Sequence, residues 1–389
     1  MAVLEKHSSD DTVVKFLPSM EWPARLTRGL RRRYLRSTTE RLSNLSPGAT
    51  FFSDDRSQFG SEPVPMASEA QVINLHWVAG FIDYVHCLRA LPPANPVVWT
   101  LHDMNAFSGG CHYTFDCTRF THSCGTCPQL GSSRQIDLSR RIWNRKRSVY
   151  EPLVRNRMHF VSPSEWLATL ARRSGLLHSA QVTVIPNSLS TEIFQPRDRA
   201  KARERFGIPA GAKVVLFVAD IAREKRKGLS LLFNALRALT HFNDLYLVML
   251  GKDVENVVFH VPCIQVDFIE DEEAMSYLYS VADVLAVPSI QDNFPNTILE
   301  ALSCGVPSVA FRVGGIPEIV RDSVTGVTVS PENSGALAAA IEGLLRAPEQ
   351  RAEISANCRQ VAVAEYSSEL QATRYMELYQ TLLSRRPNS

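Results

Sequence analysis

The sequence predicts an α/β protein built as two domains. Short apolar strands alternate with helical segments along most of its 389 residues. That alternation indicates parallel sheets with helices on their faces. The alternation is interrupted once, around Ser188 to Ala212, where Pro196, the charged run Arg197 to Arg205 and Pro209 occur. A chain of this length is enough for two such domains with full cores. The expected division is an N-terminal domain over 1–190, a linker over 191–212, a second domain over 213–366 and a C-terminal helix over 367–389.

The first seventy residues give the weakest pattern. Met1 to Leu4 reads as a short strand, and a Ser/Asp/Pro-rich run extends to Met66. Between them, Arg25, Arg28, Arg31, Arg32, Arg33, Arg36 and Arg41 are interleaved with Leu26, Leu30, Tyr34 and Leu35. This reads as a basic helix with one apolar stripe. It suits either an anionic membrane surface or the solvated exterior. Strands follow at Gln71 to Trp77, Val97 to Asp103, His159 to Ser164 and Gln181 to Asn187. Ser164 to Ser174 reads as a capped helix, with Trp166, Leu167, Leu170 and Ala171 on one side.

The second series places strands at 213–218, 244–250, 263–266, 284–287, 307–311 and 326–329, with helices at 228–239 and 272–281. The tail from Ser368 to Arg385 is helical, and Leu370, Thr373, Tyr375, Leu378 and Leu382 are spaced for an apolar face. Bulk properties exclude other classes. The formal charge of +2 carries no nucleic-acid signature. No apolar run approaches the ~20 residues of a membrane span. With no signal peptide visible either, the expectation is a cytoplasmic enzyme.

The most informative stretch runs from Pro288 to Ala310. The strand Val284 to Val287 enters a turn holding Asp292, Asn293, Pro295 and Asn296, and a helix opens near Thr297 and carries Glu300. Exposed N–H groups at a helix start suit an anion. The carboxylates of Asp292 and Glu300 suit the hydroxyls of a ribose or sugar, which donate hydrogen bonds to them. A second basic turn, Arg223 to Gly228, follows the strand Val214 to Val218. In the first half, His102-Asp103 ends a strand at the crevice of a parallel sheet, and His76 ends the strand before it. Asn187 closes the last strand of that half and reads equally well as a turn residue. Cys111, Cys117, Cys124 and Cys127 lie within seventeen residues. They suit a structural zinc site, reduced buried thiols, or disulfides.

Asp292, Glu300, Gly305-Val-Pro307 and Gly314-Gly315-Ile-Pro-Glu318 together resemble the acidic signature of the family-4 (group 1) retaining glycosyltransferases of GT-B fold, with Asp in place of the first Glu. Trp99-Thr-Leu-His-Asp-Met104, Gly109-Gly-Cys-His-Tyr113, Cys127-Pro-Gln-Leu130 and Asp292-Asn-Phe-Pro-Asn296 are similar to the exopolysaccharide and colanic-acid subgroup. The resemblance covers about residues 70 to 350. It implies two Rossmann-like domains facing a cleft, with the final helix packing back on the first. It implies sugar transfer from a nucleoside-diphosphate sugar to a glycan or lipid-linked hydroxyl, with retention, in cell-surface polysaccharide biosynthesis. Lys227, with Arg226 or Arg223, would hold the diphosphate. Glu300 would hold ribose, Asp292 and His102 the sugar, and Phe294, Pro295, Asn296 and Thr297 the donor. His76 would face the acceptor. No catalytic metal is implied.

The chain departs from that family in two places. Ala219-Asp220 replaces the usual Gly-Arg pair, and no Gly-Gly turn precedes His76. The expectation is therefore a first sheet lacking the family's first strand and helix. Two further readings stay open: a nucleotide-sugar hydrolase or epimerase on the same fold, and an inactive nucleotide-binding remnant.

Overall fold

The computed structural model describes residues 2–3, 10–39, 51–221, 224–252 and 259–385. It divides into two compact units, residues 1–184 with 377–389, and residues 185–376. Each has its own apolar core.

In the first unit, the short strands β1 (Ala2–Val3) and β2 (Val14–Lys15) pair in parallel. Helix α1 (Trp22–Thr39) follows. The main sheet has four parallel strands in chain order: β3 (Ile73–His76), β4 (Val97–Thr100), β5 (Met158–Ser162) and β6 (Gln181–Val184). Helices α2 (Tyr84–Ala90), α3 (Leu138–Asn156) and α4 (Glu165–Arg173) connect them. Every residue of β4 and β5 is buried. That fits their near-continuous apolar sequence, which a sheet covered on both faces requires. Trp99 packs among Tyr84, Tyr150 and Phe160. The Ser164 side chain accepts the Leu167 N–H and so starts α4 at the expected place. Register pairs His76 with Thr100. The residues just beyond the two strand ends therefore emerge side by side.

The second unit begins before its sheet does. Helix α5 (Arg199–Arg205) lies within the stretch expected as a linker. It is packed rather than loose: Ala202, Phe194 and Ile208 are buried in the core of this unit. Asp283 explains the placement. Its carboxylate accepts the Val214 N–H at 2.8 Å and pairs with Arg199, Arg203 and Arg351 at 2.6, 3.2 and 3.1 Å. The charged run is thus one side of a buried ion cluster whose carboxylate is distant in sequence.

Six parallel strands follow: β7 (Lys213–Ile221), β8 (Leu245–Lys252), β9 (Cys263–Val266), β10 (Val284–Val287), β11 (Ser308–Phe311) and β12 (Gly326–Val329). Their spatial order is β12-β11-β10-β7-β8-β9. The chain runs outward through β9, returns beside β7, and runs outward the other way. Strand order reverses between β7 and β10, and such a switch point opens a crevice at the carboxyl ends of the strands. Helices α6 (Leu229–Arg237), α7 (Glu272–Ser280), α8 (Asn296–Ser303), α9 (Ile316–Ile319), α10 (Ser334–Arg346) and α11 (Pro348–Glu365) cover the sheet.

Helix α12 (Ser368–Ser384) starts in the second unit and ends in the first. Gln371 donates to Pro186 O and accepts from Ser188 Oγ. Further along, Tyr379 Oη accepts from Asn74 Nδ2 at 2.7 Å. Leu370, Tyr375, Leu378 and Leu382 are half-buried, whereas Thr373 is exposed.

Candidate functional site

The switch point brings together two loops that are 65 residues apart. The loop after β7 makes a tight turn over Lys225–Lys227 and passes through Gly228 at φ 70° before α6. A Cβ at Gly228 would lie 1.8 Å from Pro288 O, so glycine lets this loop rest against the loop after β10. Ile290 N–H then donates to Arg226 O at 2.7 Å.

Across this contact the side chains of Arg226 and Lys227 converge on one oxygen. Asp292 Oδ2 is 3.0 Å from Arg226 and 2.8 Å from Lys227. Arg226 also reaches Glu224 at 2.8 Å and Gln291 O at 3.1 Å. Burial works to raise the Asp292 carboxyl, but Lys227 and then Arg226 hold it below the usual carboxylate range. Gly314, at φ 59°, completes the nest. A Cβ there would lie 1.7 Å from Asp292 O, which also accepts the Gly315 N–H at 3.2 Å. The Gly-Gly pair of the sequence is a backbone seat for Asp292.

Asp292, the residue the resemblance places at the sugar, pairs here with the two cations and holds them side by side. Lys227, whose side chain is 21% exposed, is more accessible than Arg226 at 9%. Arg223 lies outside the described residues.

Glu300 stands one turn into α8. Its Oε2 accepts from Tyr279 Oη at 2.6 Å, and burial pushes its carboxyl up. It lines a cleft of about 400 Å³ together with Asp220, Lys252, Phe268, Glu270 and Glu272. Asp220, where the resembled family carries a cation-bearing pair, is exposed and lies 3.3 Å from Lys252. Asn296 also lines the cleft, but Asp292 and Lys227 do not. Phe294 and Pro295 are buried, and Phe294 packs edge-on against Tyr366. Their contribution to a ligand is therefore limited to the backbone. Thr297 is half-buried. Asn187 Nδ2 donates to Phe294 O at 3.3 Å and to Asn296 Oδ1 at 3.0 Å, which ties the loop before α8 in place.

In the first unit, His76 Nδ1 and His102 Nε2 are 3.1 Å apart at the carboxyl ends of β3 and β4. Packing, with His102 alongside, pushes His76 down to about 4. Burial pushes His102 down as well. Both rings are neutral near pH 7, so each can donate from one nitrogen and accept at the other.

Asp103 turns the other way. It accepts from Asn105 N and pairs with His112 Nδ1, both at 2.7 Å. His112 Nε2 then meets Ser53 Oγ at 2.8 Å. The Ser53–His112–Asp103 chain escaped sequence reasoning because Ser53 lies in a stretch with no pattern of its own. Exposed Trp77 tilts over His112 with ring centres 5.0 Å apart.

Lys146 was also missed. A lysine in a basic helix normally points to water, but this one is fully buried. It donates to the carbonyls of Asn105 and Ser108, and burial pushes it down to about 8.

The four clustered cysteines are free thiols, with Cys111, Cys124 and Cys127 buried and Cys117 half-buried. Gly109 N–H donates to Cys124 Sγ at 3.1 Å. Burial raises the thiols of Cys111, Cys124 and Cys127, that of Cys124 to about 12. Among the described residues no group of three or more His, Cys, Asp or Glu is arranged to hold a metal ion.

The curated relatives include D-inositol 3-phosphate glycosyltransferase of Mycobacterium marinum, 30% identical over 187 residues, which are 43% of this chain and 38% of that protein. The Nocardiopsis dassonvillei protein of the same name is 27% identical over 53% of this chain and 52% of its own length. The chain thus spans about half or less of the curated relatives it matches.

Among solved structures, a glycosyltransferase from Rickettsia africae ESF-5 superposes with TM-score 0.63 at 15% identity, over 96% of this chain and 85% of that one. Sucrose-phosphate synthase from Thermosynechococcus elongatus gives 0.60 at 21%, over 82% and 76%. Anabaena Alr3699/HepE in complex with UDP gives 0.60 at 18%, over 82% and 80%. At these identities the likeness is one of fold. The two parallel-sheet α/β units are those of a GT-B fold, and within it residues 198–361 match the family model for glycosyl transferases group 1.

Proposed function

We propose that this protein is a glycosyltransferase that moves a sugar from a nucleoside-diphosphate sugar to a hydroxyl of a glycan or lipid-linked saccharide, with retention at the anomeric carbon. The observation that carries the reading is the cation pair Lys227–Arg226, seated on Asp292 at a topological switch point, one loop from the Glu300 cleft. The matched family model, over residues 198–361, lies within this unit. HepE, of the same fold, is described in complex with UDP and with UDP-glucose.

In this reading the nucleoside enters the cleft, where Glu300 accepts hydrogen bonds from the ribose. Tyr279 already occupies one carboxylate oxygen, which fixes the direction of the other. The diphosphate then extends along the start of α8, where backbone N–H groups and the helix dipole favour negative charge. Lys227 meets the charge that grows on the leaving diphosphate as the glycosidic bond breaks. This is electrostatic stabilisation by a group held in place beforehand, since Asp292 fixes it before the ligand arrives. The neutral His76–His102 pair of the first unit would hydrogen-bond sugar hydroxyls. The similarity of the Gly109 to Tyr113 and Asp292 to Asn296 segments to exopolysaccharide enzymes supports a cytoplasmic role in cell-surface polysaccharide assembly.

Ligand-detected NMR against UDP-, GDP- and ADP-sugars tests the donor site. Binding of one base class, weakened about tenfold or more in both Glu300→Ala and Lys227→Ala, is the expected result. A folded chain that binds none of the three would remove the proposal.

A further inference from the structure

Helix α1 presents a face that the catalytic reading does not use. Its sequence, Trp22 to Thr39, holds six arginines and no acidic residue. Two of the arginines turn toward the protein. Arg28 pairs with Glu62 at 2.7 Å and donates to Ser19 O, and Arg31 lies against Gly60. Arg25, Arg32, Arg33 and Arg36 are exposed.

At 100° per residue, Trp22, Leu26 and Leu30 form one line along the outer face, and Arg25, Arg32 and Arg36 form the adjoining line. The apolar line is bare: Trp22 is 74%, Leu26 50% and Leu30 63% exposed. Leu17 and Met20, just before the helix, are 78% and 74% exposed. Scattered surface leucines are ordinary, but five large apolar side chains within fourteen residues beside an arginine stripe are not.

We infer that α1 and the segment before it dock this protein on an anionic lipid surface. The arginines meet headgroup phosphates, and Leu17, Met20, Trp22, Leu26 and Leu30 enter the headgroup–acyl boundary. Charge alone would suit nucleic acid or an acidic protein. The continuous apolar line selects lipid, because a phosphate backbone offers nothing to cover leucine and methionine. The helix lies on the surface and does not cross it: among the described residues no helix is long and apolar enough to span a membrane. Nothing in this inference depends on glycosyl transfer.

The test is co-sedimentation of the full chain with vesicles of phosphatidylcholine, alone or with about a third phosphatidylglycerol. Binding to the anionic vesicles only, released in about 0.5 M salt, is expected. The triple variant Arg25→Glu/Arg32→Glu/Arg33→Glu should lower partitioning about a hundredfold. Leu26→Ser/Leu30→Ser should lower it about tenfold or more. Circular dichroism and thermal melting check that both variants stay folded. If either does not, the native chain decides alone through its preference for anionic over neutral vesicles. Absent or lipid-independent binding overturns the inference. So does retention of vesicle binding by both folded variants, or tighter binding to polyuridylate than to anionic vesicles.

Discussion

At the scale of single residues, Asp292 shows how one side chain can serve stability and function together. Its carboxylate sits between Lys227 and Arg226, accepts from Asn293 N–H at 3.0 Å, and its backbone oxygen receives Gly315 N–H. Replacing it with asparagine keeps the shape and removes the charge that Lys227 faces, while Arg226 keeps Glu224 at 2.8 Å. Asp292→Asn should therefore lose about 1–2 kcal/mol in urea unfolding, below the cost of stranding a fully buried charge because Lys227 is partly exposed. The acid limb of stability should change with it. The native Asp292 carboxyl lies below its unfolded value of 3.8. Its contribution is thus complete above that value and lost as pH falls through the lower, folded one. Unfolding midpoints between about pH 5 and 2 should fall less steeply in the variant than in the native chain. Equal slopes would mean that Asp292 is not the counter-ion that the geometry makes it.

At the scale of elements, Asp283 joins three parts of the second unit: the start of β7 through Val214 N–H, α5 through Arg199 and Arg203, and α11 through Arg351. Asp283→Ala leaves the buried Arg203 without its carboxylate and the Val214 N–H without its side-chain acceptor. A loss of about 3–5 kcal/mol is expected, read as a lowered urea midpoint with α5 amides exchanging early. A change under 1 kcal/mol would show that α5 is held by Ala202 and Phe194 alone. This cluster also marks where sequence stops being legible. Strands β9, β10 and β12 could be placed to the residue because apolar runs between turn residues carry their own boundaries. Helix α5 was hidden in an apparent linker because its charges are satisfied about eighty positions away, by a residue that no local pattern connects to it. Lys146 and the Ser53–His112–Asp103 chain were illegible for the same reason: a buried polar group is defined by partners that only the fold assembles. The site was readable where loop and helix follow one another, as from Asp292 to Glu300. The seating of Lys227 and Arg226 on Asp292 was not readable, because it required the β7–β10 adjacency.

At the scale of the molecule, the two units have separate cores, and the residues proposed to hold the nucleotide and its diphosphate belong wholly to the second. Glu300, Tyr279, Lys227, Arg226 and Asp292 all lie within residues 185–376, so a nucleotide sugar acts first on that unit's local opening reactions. A ligand that binds the native state alone stabilises it by about 2.7 kcal/mol at a hundred times its dissociation constant. Amides whose exchange requires opening of the site should slow accordingly, by about a hundredfold. Hydrogen-exchange mass spectrometry with a saturating nucleotide sugar should therefore show protection in peptides covering residues 224–232 and 288–303. The first unit's β4 and β5, buried without reference to that site, should exchange as before. Peptides over residues 73–78 and 101–113 discriminate further. If the His76–His102 pair hydrogen-bonds the donor sugar, a nucleotide sugar protects them and the bare nucleoside diphosphate does not. Equal effects of the two ligands on those peptides would confine recognition to the nucleotide and withdraw the sugar-binding role from His102, while leaving the assignment of the second unit intact.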